Sequence, residues 1–113
     1  MIVPCDAPRA SRLRAYAQVG SPFLQGVWAI EETRAILELP DGERPRARLA
    51  PEPIAELREA LDSMHQRGLV HGAVDLEHVT LGMGRAVLWI PERPAAGDAA
   101  ADLRALELLR DPG

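Results

Sequence analysis

The clearest structural signal in the sequence is an apolar stripe that runs from Ile54 to Met64. Its members recur at steps of three, four and three residues, the spacing of one helix face: Ile54, Leu57, Leu61 and Met64. Pro53 suits the first turn of such a helix because its missing N–H would have no partner there. Glu52 and Glu56 place negative charge near the positive end of the helix dipole. Gly68 is suited to end the helix in a left-handed conformation.

Shorter helices and strands are predicted on both sides of this central helix. Helical spacing predicts a helix over 8–19, and apolar runs over 23–30 and 34–39 predict a β-hairpin. After the central helix, an irregular loop over 69–81 leads to a short β-hairpin that ends at Ile90. Asp98 is placed to cap a final helix, on which Leu103, Leu106 and Leu109 share a face. The predicted fold class is α+β: helix, β-hairpin, helix, loop, short β-hairpin and helix.

Length and charge limit the classes of function that the chain can have. Its 113 residues suffice for one small domain and are too few for two. The formal net charge of −4 argues against binding to nucleic acid or an anionic membrane, because both need clustered positive charge. The nearest basic cluster is Arg44, Arg46 and Arg48. It lies between prolines without an aromatic partner, so we expect a solvated loop.

Two residue types are missing altogether. All 13 basic residues are Arg, and the sequence contains neither Lys nor Asn. A Schiff-base lysine, a lysine that binds nucleotide phosphates and an asparagine metal ligand are therefore excluded.

The cysteine content and the N-terminal sequence lead us to expect a cytoplasmic protein. Cys5 is the one cysteine and cannot form an internal disulfide, which fits a reducing compartment. Residues 1–7 contain Pro4 and Asp6 and lack the apolar run of a signal peptide. The sequence also has no apolar stretch near the ~20 residues of a transmembrane helix.

The middle of the chain resembles one particular family. Residues 61–79 read LDSMHQRGLVHGAVDLEHV, which resembles the catalytic-loop region of protein kinases. Residues 23–42 look like the last two small-lobe strands and the hinge of that family, and 98–109 look like the start of its central large-lobe helix. The resemblance implies one truncated kinase-like domain over 1–113, with a small-lobe-like part over 8–42 and a large-lobe-like part over 52–110.

The residues with which the family performs its chemistry are replaced in this sequence. The catalytic aspartate falls at Ala73, the loop lysine at Asp75 and the metal-binding asparagine at His78. The metal-binding aspartate falls near Ile90, which is followed by Pro91. No glycine-rich phosphate loop precedes residue 23. The resemblance therefore implies a protein that is not an enzyme, with no catalytic, cofactor-binding or metal-binding residues.

The residues that support the fold of the family are present. The histidine that matches His71 packs and hydrogen-bonds inside the large lobe. The aspartate that matches Asp102 accepts backbone hydrogen bonds from the catalytic loop, and Gly68 ends the preceding helix. This combination is typical of a degenerate, pseudokinase-like domain.

Several residues could also carry chemistry outside the kinase resemblance. His65, His71 and His78 could be metal ligands, but their spacings of six and seven favour structural or exposed histidines. Asp75 and Glu77 with His78 could form an acid–base set, yet we expect a solvated loop.

The remaining candidates are the cysteine and the two tryptophans. Cys5 could be a nucleophile, but in a flexible terminus it has no neighbour that would activate it. Trp28 and Trp89 are expected in the core or at an interface.

The sequence thus predicts a non-catalytic protein-interaction or regulatory module. Its expected partner is a second copy of itself, a true kinase or a larger assembly, and a homodimer would bury the same patch twice. Two alternatives stay open. The chain could be a subunit that completes a split nucleotide-binding or enzyme site on a partner chain, or an unrelated α+β adaptor.

Overall fold

The computed structural model describes residues 1–112, which form three α-helices and two small antiparallel sheets. The elements are β1 (Ile2–Pro4), α1 (Ala7–Ala17), β2 (Val27–Ile30), β3 (Arg34–Leu37), α2 (Pro51–Gln66), a 3-10 turn (Leu76–His78), β4 (Val79–Gly82), β5 (Arg85–Leu88) and α3 (Ala99–Leu108). The predicted α+β class is confirmed. Helix α2 and its stripe are also confirmed, since all four stripe residues are at most 1% exposed.

Strand β1 was not predicted from the sequence. The first sheet has the order β1-β3-β2, and the Cys5 amide extends the pairing by donating to the Thr33 carbonyl at 3.0 Å. The Pro4 carbonyl accepts a hydrogen bond from the Arg9 guanidinium at 3.1 Å. The expectation of a flexible terminus around Cys5 is therefore wrong, because this side chain is only 6% exposed.

Helix α1 packs beside the first sheet and reaches the end of α2. Asp6 caps α1 by accepting a hydrogen bond from the Arg9 amide at 2.9 Å. Tyr16 is buried, and its hydroxyl donates to the Val70 carbonyl at 3.5 Å. Burial raises the pKa of Tyr16 to about 12, so the hydroxyl keeps the proton that it donates.

The second sheet consists of β4 and β5 and is extended by single residues on both edges. On one edge, the Gln25 amide donates to the Leu88 carbonyl at 2.9 Å. On the other, the amides and carbonyls of Glu43 and Leu81 exchange hydrogen bonds of 3.1 and 2.8 Å. The prediction of one strand over 23–30 is therefore wrong in its first half, because residues 23–25 pair with β5 rather than with β3.

The ends of α2 and α3 follow local sequence signals. Gly68 has φ of +75° directly after Arg67, the C-cap of α2, as predicted, which lets the chain leave the helix without a Cβ clash. Asp98 caps α3 by accepting a hydrogen bond from the Ala101 amide at 2.8 Å, also as predicted.

The two tryptophans differ in how far they are exposed. Trp28 is 68% exposed, so core packing is excluded for this tryptophan, while Trp89 is half-buried. None of the helices within residues 1–112 combines the length and the apolar content needed to cross a bilayer.

Candidate functional site

Asp102 is the centre of a hydrogen-bond cluster that holds the loop after α2. It lies in the first turn of α3 and is only 2% exposed. Its Oδ2 accepts from the His71 amide at 2.8 Å and from Nε2 of His65 at 2.9 Å. Its Oδ1 accepts from the Gly72 amide at 2.9 Å. The carboxylate therefore joins α2, the loop and α3, and its buried oxygens are satisfied by three hydrogen-bond donors.

His71 is fully buried and uses both ring nitrogens. Nε2 donates to the Trp89 carbonyl at 2.7 Å, and Nδ1 accepts from the Ala73 amide at 3.1 Å. The second bond needs the lone pair on Nδ1, so this geometry requires the neutral ring. Burial lowers the pKa of His71, and its hydrogen bond to Trp89 offsets this only in part. His71 is thus a structural histidine, which excludes it as a metal ligand in this conformation.

His78 is placed between two carboxylates. Its Nδ1 lies 2.8 Å from Oδ1 of Asp75, and its Nε2 lies 3.2 Å from Oε2 of Glu92. Partial burial disfavours the charged ring, but the hydrogen bonds to both carboxylates outweigh it and raise the pKa of His78. The expectation of a solvated loop is wrong for His78, whose side chain is only 15% exposed.

The 3-10 turn explains why Asp75 and His78 meet. Oδ1 of Asp75 also accepts from the His78 amide at 3.0 Å and so caps this turn. Glu77 is exposed, as expected for a loop residue. While both ring nitrogens of His78 face carboxylates, the imidazole has no free lone pair with which to act as a base.

The three histidines do not converge on one point. The rings of His71 and His78 meet edge to face with centroids 5.8 Å apart, while His65 is bound to Asp102. Among residues 1–112, no three His, Cys, Asp or Glu side chains are grouped as metal ligands.

A cavity of about 330 Å³ lies beside this loop. Its walls include Ala73, His78 and the segment from Pro91 to Pro94. At Ala73, where the kinase resemblance would place a catalytic carboxylate, the cavity is lined by a methyl group. Ile90 is 5% exposed and packs in the core, with its amide donating to Oε1 of Gln25 at 3.0 Å.

A second, larger cavity of about 750 Å³ lies between residues 41–46 and residues 81–83. Gly42 has φ of +101°, and a Cβ built on it would overlap the Leu81 carbonyl. The turn at 40–42 is therefore pressed against β4, which fixes one wall of this cavity.

Arg44 departs from the expectation for the basic cluster. Its guanidinium carbon lies 5.3 Å from the ring centroid of Trp89, a cation–π distance, so the cluster does have an aromatic partner. Nε1 of Trp89 donates to Oγ1 of Thr80 at 3.2 Å, which fixes the ring. Arg46 and Arg48 are exposed, as expected for a solvated loop.

Two residues of the site were not identified from the sequence. Glu92 directly follows Pro91 and contacts His78 across 14 positions. Gln25 is 3% exposed, and its Nε2 donates to the Glu38 carbonyl at 2.8 Å. A lone polar residue carries no local signal of a long-range contact, so neither could have been found by spacing.

Comparison with known proteins adds no further assignment. A scan against protein-family models and searches of curated proteins and of solved structures find no match.

Proposed function

We propose that this chain is a non-catalytic, pseudokinase-like domain that acts as a protein-interaction or regulatory module. The observation that carries the proposal is the arrangement around Asp102. The kinase resemblance implies that this aspartate accepts backbone hydrogen bonds from the catalytic loop, and Asp102 accepts them from His71 and Gly72. These two hydrogen bonds support the proposal.

The residues at the positions where the kinase resemblance would place catalytic and metal-binding groups support a loss of catalysis. Ala73 offers no group that could accept a proton from a substrate hydroxyl. Asp75 and Glu92 occupy both ring nitrogens of His78, so neither nitrogen is free to bind a Mg²⁺ ion in this conformation. Phosphoryl transfer depends on positioned metal ions and charge neutralisation, for which these residues are unsuited.

The proposal extends to the organisation of the chain. We assign residues 8–42 to a small-lobe-like part and 52–110 to a large-lobe-like part. Strand β1 adds a further strand to the sheet of the small-lobe-like part. The module is proposed to work in the cytoplasm, with a second copy, a true kinase or a larger assembly as its partner.

Equilibrium binding of Mg·ATP to the full chain tests the proposal. We expect no saturable binding up to millimolar nucleotide, with or without Mg²⁺, in isothermal titration calorimetry. An active kinase in the same buffer serves as the positive control. Tight, Mg²⁺-dependent binding would contradict the proposal and favour a subunit that completes a split nucleotide site.

A further inference from the structure

The outer face of α3 is an exposed surface with a defined pattern. Four residues line a shallow groove of about 520 Å³ on it: Leu103, Arg104, Glu107 and Leu108. Leu108 is 72% exposed, whereas Leu103 is half-buried at the border between this face and the core. The opposite side of the helix carries the buried Asp102 and Leu106, so α3 has one face in the core and one in solvent.

The four groove residues are placed symmetrically along the helix. Leu103 and Leu108 are equally distant from the midpoint of residues 103–108, and so are Arg104 and Glu107. When two identical helices pack antiparallel about a two-fold axis at the midpoint of residues 103–108, each residue lies level with the one equally far beyond the midpoint. Arg104 of one copy then lies level with Glu107 of the second copy, with leucines on either side of the charges.

The charges on this face are suited to pairing between copies. Within the described part of the chain, the Arg104 guanidinium makes no ion pair or hydrogen bond. Glu107 is bound by Arg110 at 3.0 and 3.1 Å, and this hydrogen bonding lowers the pKa of Glu107. The carboxylate therefore stays ionised and, with two oxygens, can accept a further guanidinium donor.

We infer that the outer face of α3 binds a second copy of this chain and forms an antiparallel homodimer. The inference rests on the proposed function, because it names the partner of a domain proposed to act by binding proteins. A face that complements itself in charge fits a second copy better than an unrelated protein, which would need no such symmetry. The helix has ten residues and is therefore about 15 Å long. An interface of this size predicts a weak dimer.

Charge-reversal variants test the inference by sedimentation equilibrium. We expect the wild type to dimerise with increasing concentration. Arg104→Glu alone and Glu107→Arg alone place like charges level with each other, so each should raise the dimer Kd at least ~10-fold. An equimolar mixture of the two variants restores both opposite-charge pairs, and we expect it to form a heterodimer at least as readily as the wild type dimerises.

Two further variants locate the surface. Leu108→Ser should weaken the dimer, whereas Met83→Ser, at a residue that is 99% exposed on the β4–β5 turn, should not. Circular dichroism of each variant checks that the fold is kept, because Glu107→Arg also removes the pair with Arg110.

Three results would each overturn the inference: a wild type that stays monomeric at ~1 mM, single variants that dimerise like the wild type, or a mixture that dimerises no better than its components. A monomeric wild type that binds no nucleotide would overturn only the dimer. A dimer that binds Mg·ATP tightly would overturn only the proposed function.

Discussion

His71 and His78 lie side by side but favour opposite protonation states. His71 needs a free lone pair on Nδ1 to accept the Ala73 amide, whereas His78 faces a carboxylate at each ring nitrogen. An unsatisfied buried donor or acceptor costs about 1–3 kcal/mol, so each ring is held in the state that its neighbours require. One loop therefore contains two titrating groups that act on stability in opposite directions.

The pH dependence of unfolding should show this opposition. The raised pKa of His78 gives stability that is fully present below the unfolded value of about 6.5 and is lost as the pH rises through the folded pKa. The lowered pKa of His71 gives stability that is present above about 6.5 and is lost as the pH falls. Urea unfolding of the wild type should therefore show a loss of stability on the alkaline side of about 6.5.

The variant His78→Gln isolates this effect, because any other group that titrates in the same range is common to both proteins. We expect the alkaline loss to be smaller in His78→Gln than in the wild type. Equal pH profiles for the two proteins would show that the contacts of His78 to Asp75 and Glu92 do not contribute.

At the scale of secondary structure, the strands are too short to be stable alone. A two-stranded sheet of four-residue strands is marginal in water, and β4 and β5 depend on contacts from elsewhere in the chain. Oε1 of Glu56 on α2 accepts from the Ala86 amide at 3.0 Å, and Glu43 pairs with Leu81 across 38 positions. The stability of this hairpin is therefore set by tertiary contacts.

Gly42→Ala tests how tightly the turn at 40–42 is pressed against β4. The added Cβ would meet the backbone of Leu81 at a positive φ, so we expect a loss of at least about 3 kcal/mol in the free energy of unfolding. Gly84→Ala is the matched control. Gly84 has φ of +84° but open space around its Cβ position, so only left-handed strain of about 1–2 kcal/mol applies. Equal losses for the two variants in urea unfolding would show that the turn can move away from β4.

What could be predicted from the sequence depends on how local each signal is. The stripe of α2, the cap at Asp98 and the glycine at 68 follow from residues within about three helical turns, and all three are confirmed. Strand β1 is three residues long and contains Pro4, so no periodicity marks it. The pairing of residues 23–25 with β5 and the contact between Glu92 and His78 depend on distant partners, which spacing along the chain does not show. Asp102 was singled out because of the kinase resemblance rather than by a pattern of its own.

At the scale of the whole molecule, which extends 47 × 29 × 20 Å, polar contacts join the two sheets. The side-chain amide of Gln25 donates through Nε2 to the Glu38 carbonyl and accepts through Oε1 from the Ile90 amide. Nη2 of Arg85 lies 2.5 Å from Oε2 of Glu38, and its Nη1 donates to the Pro22 carbonyl. These contacts tie β3 to β5, so we expect the two sheets to unfold together.

Single-tryptophan variants can test this coupling, since Trp28 lies in the first sheet and Trp89 directly follows the second. We expect the fluorescence of Trp89 in Trp28→Phe, and of Trp28 in Trp89→Phe, to change at the same urea concentration as the circular dichroism of the helices in the same variant. Separate midpoints within one variant would show that the two sheets unfold independently.

The outer edge of β1 has a consequence for the solubility of the molecule. Exposed strand edges are templates for the addition of foreign strands and so for aggregation. Here Pro4 has no N–H to offer, and its carbonyl is already occupied by Arg9. Together with the shortness of the strand, this closes most of the edge to a continuous ladder. This edge is therefore a poor starting point for a fibril.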